Sequence, residues 1–273
     1  MRTSSSLLAR LTLGASLALA ATVSIAAAQV IPVGGTFDTP NGVGTLQSGS
    51  TDLGFSDDWF VLSSTFNIQQ APLAPAYYPV MIALEGVRSD SVLTSPMTMA
   101  SVDGAQHTLN GATSAGGLRL DRPSLNGLST FGNLTVSNLY ADLATGLVYG
   151  SVDGANGVGV KSGVALWQAS ALAGESSVFG QPNADTTQVL RVTLQDLVLT
   201  NEGVNIFDTA LGMGKMGMGP LASTVFGSLS VNTVFSMPAG HTMTTPDAVP
   251  EPSTWALMGV GLVGLFGAAR RRT

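Results

Sequence analysis

The chain has 273 residues, of which 10% are charged and 45% are hydrophobic, and it contains no cysteine. This length suffices for one large β domain or two small ones, and the absence of cysteine excludes a disulfide framework, a thiolate metal site and a cysteine nucleophile. The formal net charge is −6, although five of the 11 basic residues are arginines near the two ends, so the rest of the chain is strongly acidic. An acidic body argues against nucleic acid and anionic membrane surfaces as partners, because both attract Lys and Arg.

Residues 1–28 have the features of a secretory signal peptide. Arg2 and Arg10 provide a positive start, an apolar segment follows, and three alanines that end at Ala28 fit the small-residue cleavage rule. The alternative is a retained membrane anchor, but the apolar run is short for a membrane span. Cleavage would leave a mature chain that begins at Gln29, after export through Sec-type machinery.

The first part of the mature chain is predicted to contain few strands. From Gln29 to about Thr51 the sequence is rich in Gly, Thr and Pro, which is typical of turns. A first strand is predicted to begin at Trp59 and to continue through Ile68, because aromatic and aliphatic residues cluster there. A proline-broken loop is predicted to follow over 71–79.

The centre of the chain is more regular. A short apolar run at 80–84, bounded by turn residues, is typical of a buried strand. Apolar and polar residues alternate over 134–137, and a turn at Ala144-Thr145-Gly146 predicts a hairpin across 139–152. Another strand is predicted at 164–167.

The longest predicted strand covers 188–199. Its apolar residues change parity at Gln195 and Asp196, which indicates a β-bulge or a strand that passes from one sheet to another. One helix is predicted near 202–211, with Thr200 or Asn201 as its N-cap. Gly212 would end this helix, and a last strand would run from about Leu229 to Phe235.

Many short strands with Gly, Asn and Asp turns predict an all-β extracytoplasmic domain over 29–236. We expect a single β-sandwich-like domain, with a barrel or an irregular β-solenoid as alternatives. Two short sequence words recur: residues 131–136 resemble 226–231, and 101–105 resemble 151–155. Their separations differ, so a solenoid of fixed period is not indicated, and convergence of strand-turn units is favoured over duplication.

Residues that could support catalysis are few. His107 and His241 are the two histidines, which excludes a histidine-rich metal centre, and no G-x-S-x-G sequence supports a serine nucleophile. The Asp57-Asp58 pair, Asp103 and Asp153 could serve as acid/base carboxylates or Ca²⁺ ligands, but no calcium-binding loop sequence surrounds them. An Asp-Gly pair is more simply explained by turn geometry. We therefore predict no catalytic, cofactor-binding or metal-binding residues and no enzymatic activity.

Three other features have a functional and a structural interpretation. Met213, Met216 and Met218 could bind Cu(I), but a flexible glycine loop whose Met side chains cover apolar surface is favoured. Asn133 begins an N-glycosylation sequence, which is interpreted as coincidence. A carbohydrate-binding module would need an exposed aromatic platform; the candidates are Trp59, Tyr77, Tyr78 and Trp167, of which Trp167 is expected to lie in the core.

The C-terminal tail has three parts in a fixed order. After a polar linker at 237–248 come Pro250, Glu251 and Pro252, where the two prolines keep the backbone extended. An apolar run begins at Trp255 and ends at Ala269; as a helix it would span about 22 Å, less than the roughly 30 Å of a hydrocarbon core. Snorkelling side chains can supply part of the difference. Three arginines then follow (Arg270, Arg271 and Arg272), which we expect to stay cytoplasmic.

This tail, 249–273, resembles the PEP-CTERM sorting signal of exported Gram-negative bacterial proteins. The resemblance rests on Val249 to Ser253 with their Pro-Glu-Pro core, on the apolar run and on the terminal arginines. It covers about the last 25 residues, and the alternative is a plain C-terminal membrane anchor. No family is indicated for residues 29–248.

The resemblance implies that an exosortase, a membrane cysteine protease, recognises and processes the tail. It also implies a transient inner-membrane anchor, then the cell surface or extracellular matrix, and an association with exopolysaccharide and biofilm. From it we expect a structural or adhesive surface protein. The alternatives are a secreted enzyme that acts on polysaccharide and a carbohydrate- or ligand-binding β-sandwich module.

Overall fold

A computed structural model describes residues 28–39, 42–79, 91–103, 108–124, 131–176 and 187–236. The body of the predicted signal peptide, the predicted strand at 80–84, both histidines, the linker and the tail lie outside the described residues. The described strands run from Gln29 to Ser236, within the predicted β domain. The domain bounds themselves remain a prediction.

The described residues form strands for most of their length and three helices. The strands are β1 (Gln29–Pro32), β2 (Thr36–Thr39), β3 (Gly42–Phe55), β4 (Gln69–Leu73), β5 (Val92–Asp103), β6 (Thr108–Ser114), β7 (Gly117–Arg122), β8 (Gly132–Asp142), β9 (Leu147–Gly154), β10 (Gly159–Gln168), β11 (Ala171–Gly174), β12 (Thr187–Leu199) and β13 (Val225–Ser236). The helices are α1 (Asp57–Thr65), α2 (Asn201–Leu211) and α3 (Lys215–Ser223). No helix within the described ranges has both the length and the apolar character needed to cross a membrane.

The described strands belong to one antiparallel sheet whose pairings close on themselves. From β3 the pairings lead through β13, β12, β10, β9, β8, β6 and β5, and β5 pairs with β3 again. The remaining strands extend this ring at its margins: β1 pairs with β5, β2 with β3, β7 with β8, β4 with β7, and β11 with β12. The all-β prediction is confirmed, but the described strands form one continuous sheet, whereas a sandwich has two.

The hydrophobic core lies inside this ring. Along β8, Leu134 and Val136 are buried while Thr135 and Ser137 are partly exposed, which is the alternation of a strand with one face on the core. At one end of the core Phe226 contacts two buried tryptophans, with ring centroids 4.3 Å from Trp59 and 5.0 Å from Trp167. Such aromatic contacts add to the stabilisation that burial alone provides.

The predicted strand from Trp59 to Ile68 is wrong, because this segment contains α1. The Ser56 side chain caps the helix by accepting a hydrogen bond from the backbone N–H of Trp59 at 3.1 Å. Asp57 and Asp58 occupy the first turn, where their charge complements the helix dipole. Trp59, Leu62 and Ser63 are buried at helical spacing.

The predicted loop at 71–79 is also partly wrong, because it overlaps β4, an edge strand that tolerates Pro72.

Other predictions about elements fare better. The hairpin is confirmed as β8 and β9, and the strand at 164–167 is confirmed within β10. The helix near 202–211 is α2, with Thr200 as N-cap and Gly212 as a left-handed C-cap at φ 61°. The bulge in β12 is confirmed by a register shift between Leu194 and Leu197, with Asp196 at φ 50°.

The early and late strands were under-predicted. The Gly-rich segment after Gln29, for which the sequence predicts mainly turns, contains β1, β2 and β3, and β3 at 14 residues is longer than β12 at 13. β13 begins at Val225, four residues before the predicted start at Leu229. The methionine-rich segment, predicted to be a flexible loop, forms α3 instead.

Candidate functional site

The candidate carboxylates lie on separate elements. Asp57 and Asp58 are in the first turn of α1, Asp103 is the last residue of β5, and Asp153 lies near the end of β9. In the ring of strands, β5 and β9 are separated by β6 and β8. In the part of the chain that the structure describes, no three His, Asp or Glu side chains are arranged to hold a metal ion.

The predicted aromatic platform is divided between core and surface. Trp59 and Trp167 have exposed fractions of 1% and 0%, so they serve the core; this corrects the platform interpretation of Trp59 and confirms the expectation for Trp167. The indole N–H of Trp59 donates to the Gln70 side-chain oxygen at 2.9 Å. Tyr77 is 52% exposed and Tyr78 is half-buried.

The three methionines have different environments. Met213 is buried, whereas Met216 and Met218 are exposed on α3. Residues two positions apart on a helix point in different directions, so the thioethers of Met216 and Met218 do not face each other. This arrangement offers no convergent set of sulfur ligands among the three.

Asn133, which begins the N-glycosylation sequence, is a half-buried residue of β8, in register with Asp121 of β7.

An aromatic groove lies on the outer side of the β8–β9 hairpin. Tyr140 and Tyr149 are directly opposite each other in register, with ring centroids 6.0 Å apart and ring planes inclined by 32°. Their strand neighbours Ala141 and Val148 are buried, so the tyrosines occupy the opposite face of the sheet. The rings contribute to a groove of about 330 Å³, which we call the tyrosine groove. Its lining residues are Asn138, Tyr140, Asp142, Tyr149, Gly150, Ser151 and Gly163.

Two β-bulges flank this groove, one on each side of β9. In β8, Asn138 and Leu139 together oppose Gly150, and Asn138 takes a left-handed φ of 51°. In β10, the register shifts between Lys161 and Val164, and Gly163 has φ 66°. A bulge bends its strand and redirects nearby side chains, so the two bulges together shape a depression in an otherwise regular sheet.

Glycines determine how closely the residues that line the groove pack against neighbouring strands. A Cβ at Gly111 of β6 would come within 2.9 Å of the Tyr140 ring, so this ring lies directly over the glycine. A Cβ at Gly150 would come within 2.9 Å of Leu166 in the core. At Gly163 a Cβ would meet nothing within 4 Å, so the groove is open on that side.

The polar groups of the groove are held by local hydrogen bonds. The Oδ1 atom of Asp142 accepts hydrogen bonds from the backbone N–H groups of Ala144 and Thr145, at 3.0 Å and 3.2 Å, which fixes the carboxylate at the hairpin turn. Burial raises the pKa of the Tyr140 phenol, and the Asp142 carboxylate and Tyr149 raise it further. The Tyr140 hydroxyl therefore stays protonated at neutral pH and remains a hydrogen-bond donor.

Sequence reasoning missed this groove, although a signal was present. The predicted turn at Ala144-Thr145-Gly146 makes Tyr140 and Tyr149 cross-strand neighbours, as the register shows. The pairing of two tyrosines across a hairpin is therefore visible in the sequence. The bulge in β10 and the contact with Gly111 of β6 involve strands whose pairing with the hairpin was not predicted.

The predicted sorting residues Pro250, Glu251 and Pro252 lie outside the described residues, as do Trp255 to Ala269 and the terminal arginines. At the other end, Ala28 is exposed and Gln29 is the first residue of β1, in register with Val102 of β5. The predicted mature N-terminus therefore coincides with the start of the first strand.

Comparison with curated proteins and with solved structures found no significant match. The protein-family model of the PEP-CTERM protein-sorting motif matches residues 248–272. This range contains the Pro-Glu-Pro core, the apolar run and the terminal arginines. The chain thus carries a PEP-CTERM protein-sorting motif at its C-terminus.

Proposed function

We propose that this protein is a non-enzymatic component of the cell surface or extracellular matrix, with a structural or adhesive role. The observation that carries the proposal is the sorting motif at residues 248–272. The motif implies export, processing by an exosortase and membrane-associated sorting to the cell surface. In this proposal the tail serves as a transient inner-membrane anchor in a Gram-negative bacterium, and the β domain acts outside the cell.

The distribution of acidic side chains supports a role without catalysis. Glycosidases need two carboxylates that flank one bond in a cleft. Here Asp57 and Asp58 stabilise a helix start, while Asp103 and Asp153 belong to strands that are not neighbours in the sheet. In our proposal the acidic residues keep the exported domain soluble. The turn predicted at the Asp153-Gly154 pair is wrong, because both residues belong to β9.

An association with exopolysaccharide and biofilm is the second part of the proposal. It is supported by the sorting motif and by an exposed groove that offers aromatic rings and uncharged hydrogen-bonding groups. Loss of the gene is expected to alter floc or biofilm cohesion without altering growth in dispersed culture. Unchanged cohesion in the deletion strain would contradict this part.

The sorting part is tested in the native host by deleting its exosortase. We expect the full-length chain to accumulate in the inner membrane of the deletion strain, detected by an antibody against the β domain. Alanine substitution of Pro250, Glu251 and Pro252 should have the same effect in the wild-type strain. Pro246→Ala, which changes a proline outside the Pro-Glu-Pro core, is the matched control. Unchanged maturation and location in the exosortase deletion strain would refute the proposal.

A further inference from the structure

We propose that the tyrosine groove binds one unit of a neutral polysaccharide chain. The sugar ring would pack against Tyr140 and Tyr149, and its hydroxyl groups would bond to Asn138, Asp142 and Ser151. The inference deepens the proposed function and rests on it, because the protein meets such a polymer only after export.

The aromatic pair has the geometry of a binding surface rather than of core packing. The two rings lie on the outer face of the sheet with centroids 6.0 Å apart, whereas the core-facing residues of the same strands are buried. A pyranose ring has an apolar face of C–H groups, and burying this face against an aromatic ring removes both surfaces from water. Two adjacent rings provide a surface wider than one side chain.

The rim of the groove offers polar groups that suit hydroxyl ligands. Asn138 supplies an amide that can donate and accept, Ser151 a hydroxyl that can do both, and Asp142 a carboxylate that accepts. The Oδ1 atom of Asp142 is already held by the turn, so the carboxylate is oriented before any ligand arrives. Small-molecule sites combine an apolar lining with a few such positioned polar groups.

Charge selects the kind of polysaccharide. Asp142 is the one charged residue among those that line the groove, and the chain as a whole carries a formal charge of −6. A polyuronate or a sulfated polymer is anionic, so the negative charge of Asp142 and of the whole chain would repel it. No Lys or Arg lines the groove to pair with such a polymer. A neutral hexose polymer pays no such cost and supplies the hydroxyl donors that a carboxylate requires.

The shape of the groove suits a passing chain. Its volume of about 330 Å³ is at the lower end of the range for ligand sites, roughly 300–1,000 Å³. The open side at Gly163 leaves room for a polymer to continue beyond the bound unit. The two rings lie on β8 and β9, which pair with each other in the sheet, and this rigid support reduces the entropy lost on binding.

The test is titration calorimetry with the full-length chain in a detergent that has no sugar headgroup. The probes are cellohexaose, laminarihexaose and maltohexaose as neutral oligomers and an oligomannuronate as the anionic comparison. We expect saturable binding of at least one neutral oligomer and binding at least tenfold weaker for the oligomannuronate. Tyr149→Ala should weaken binding of the neutral oligomer by roughly tenfold. Tyr149→Phe, which keeps the ring, should retain most of the affinity.

Two further variants make the result specific to the groove. Ser151→Trp fills the groove while leaving both tyrosines in place, and it should abolish binding. Tyr77→Ala removes an exposed tyrosine elsewhere on the protein and should bind like wild type. Thermal unfolding of each variant identifies any that fail to fold.

The inference is overturned if no neutral oligomer binds saturably, or if folded Tyr149→Ala and Ser151→Trp bind as tightly as wild type. If either result is obtained and the tail is processed normally in the native host, the proposal about the tyrosine groove is refuted and the sorting proposal is not. If the protein binds the sugar but its tail is not processed, the sorting proposal is refuted instead.

Discussion

At the scale of single residues, Arg122 connects two helix ends to the sheet. It is buried at the end of β7, and its guanidinium donates to the backbone carbonyls of Leu211 and Gly212 at 3.1 Å and 2.8 Å. It also donates to the carbonyl of Phe66 at 3.1 Å. These carbonyls end α2 and α1, so one cation joins two helix C-termini to the sheet, where the helix dipoles favour positive charge.

We predict that Arg122→Met lowers the free energy of unfolding by about 3 kcal/mol or more, because three carbonyls lose a charged donor. Arg122→Lys should recover only part of this loss, since an ammonium cannot reproduce the planar fork. Denaturant unfolding measures both. Arg119→Met on the same strand is the control: Arg119 is exposed and pairs with Asp121 at 2.8 Å, so its loss should cost less than about 1 kcal/mol. Equal effects at the two positions would contradict the assigned role of Arg122.

Asp208 provides a prediction about pH. Its Oδ1 atom is buried without a hydrogen-bond partner among the described residues, and this burial raises the pKa of the carboxyl above its usual value of 3.8. The protonated form is therefore favoured more in the folded than in the unfolded protein. Stability is gained as pH falls through the raised folded-state pKa towards 3.8, and it is lost again as pH rises.

Asp208→Asn should accordingly raise the melting temperature at pH 7 and remove this pH dependence. Thermal unfolding of both proteins in a series of buffers from acidic pH up to about pH 7 measures the difference. Asp153→Asn on the exposed end of β9 is the control for the loss of one negative charge. A lower melting temperature for Asp208→Asn at pH 7 would contradict the explanation.

At the scale of elements, α2 depends on Thr200, the N-cap residue that precedes it. The Thr200 hydroxyl accepts from the Gly203 backbone N–H at 3.0 Å and donates to the Ala165 carbonyl of β10 at 2.6 Å. It therefore caps the helix and fastens it to the sheet. Phe207 of the same helix packs against Trp167, with ring centroids 6.0 Å apart, so the position of α2 affects the aromatic core.

We predict that Thr200→Ala lowers the free energy of unfolding by about 1–2 kcal/mol, since both hydrogen bonds are lost. Thr200→Ser keeps the hydroxyl and should stay within about 0.5 kcal/mol of wild type. Urea unfolding monitored by tryptophan fluorescence reports on the helix and the core together. If the serine variant were as unstable as the alanine variant, the destabilisation would come from loss of the threonine methyl group and not from loss of the capping hydrogen bond.

The same scale shows where sequence reasoning succeeds and fails. α2 was predictable because its cap, its apolar spacing and its terminal glycine agree. α1 was not, because Trp59 and the aliphatic residues after it have strand propensity, and the Ser56 cap decides the outcome. α3 contains glycines that disfavour a helix. One of them, Gly217, has no room for a Cβ, which would approach Met213 to 2.4 Å, and a contact of this kind has no signature in a single sequence.

At the scale of the whole molecule, closure of the ring depends on strands that are distant in sequence. β3 pairs with β13 along ten registered residue pairs, including Leu53 with Leu229, although most of the chain lies between them. Local alternation indicates strands such as β8 but not their partners, which is why the all-β class was predictable, whereas a sandwich was preferred and a closed single sheet was named only as the barrel alternative. The tyrosine groove shares this limit in part, because β8, β9 and β10 follow one another in the chain, whereas β6, which contributes Gly111, pairs with β8 although β7 lies between them in the sequence.

The tail presents the opposite situation, since its three-part order can be recognised without a structure, and the match over residues 248–272 confirms it.

Our main proposal is that export and exosortase processing remove both ends of the chain and leave the β domain outside the cell. The most direct test is the intact mass of the protein isolated from the cell surface or medium of the native host. We predict a chain that begins at Gln29 and lacks the residues after the Pro-Glu-Pro core. A mass that includes Thr273 would contradict the account.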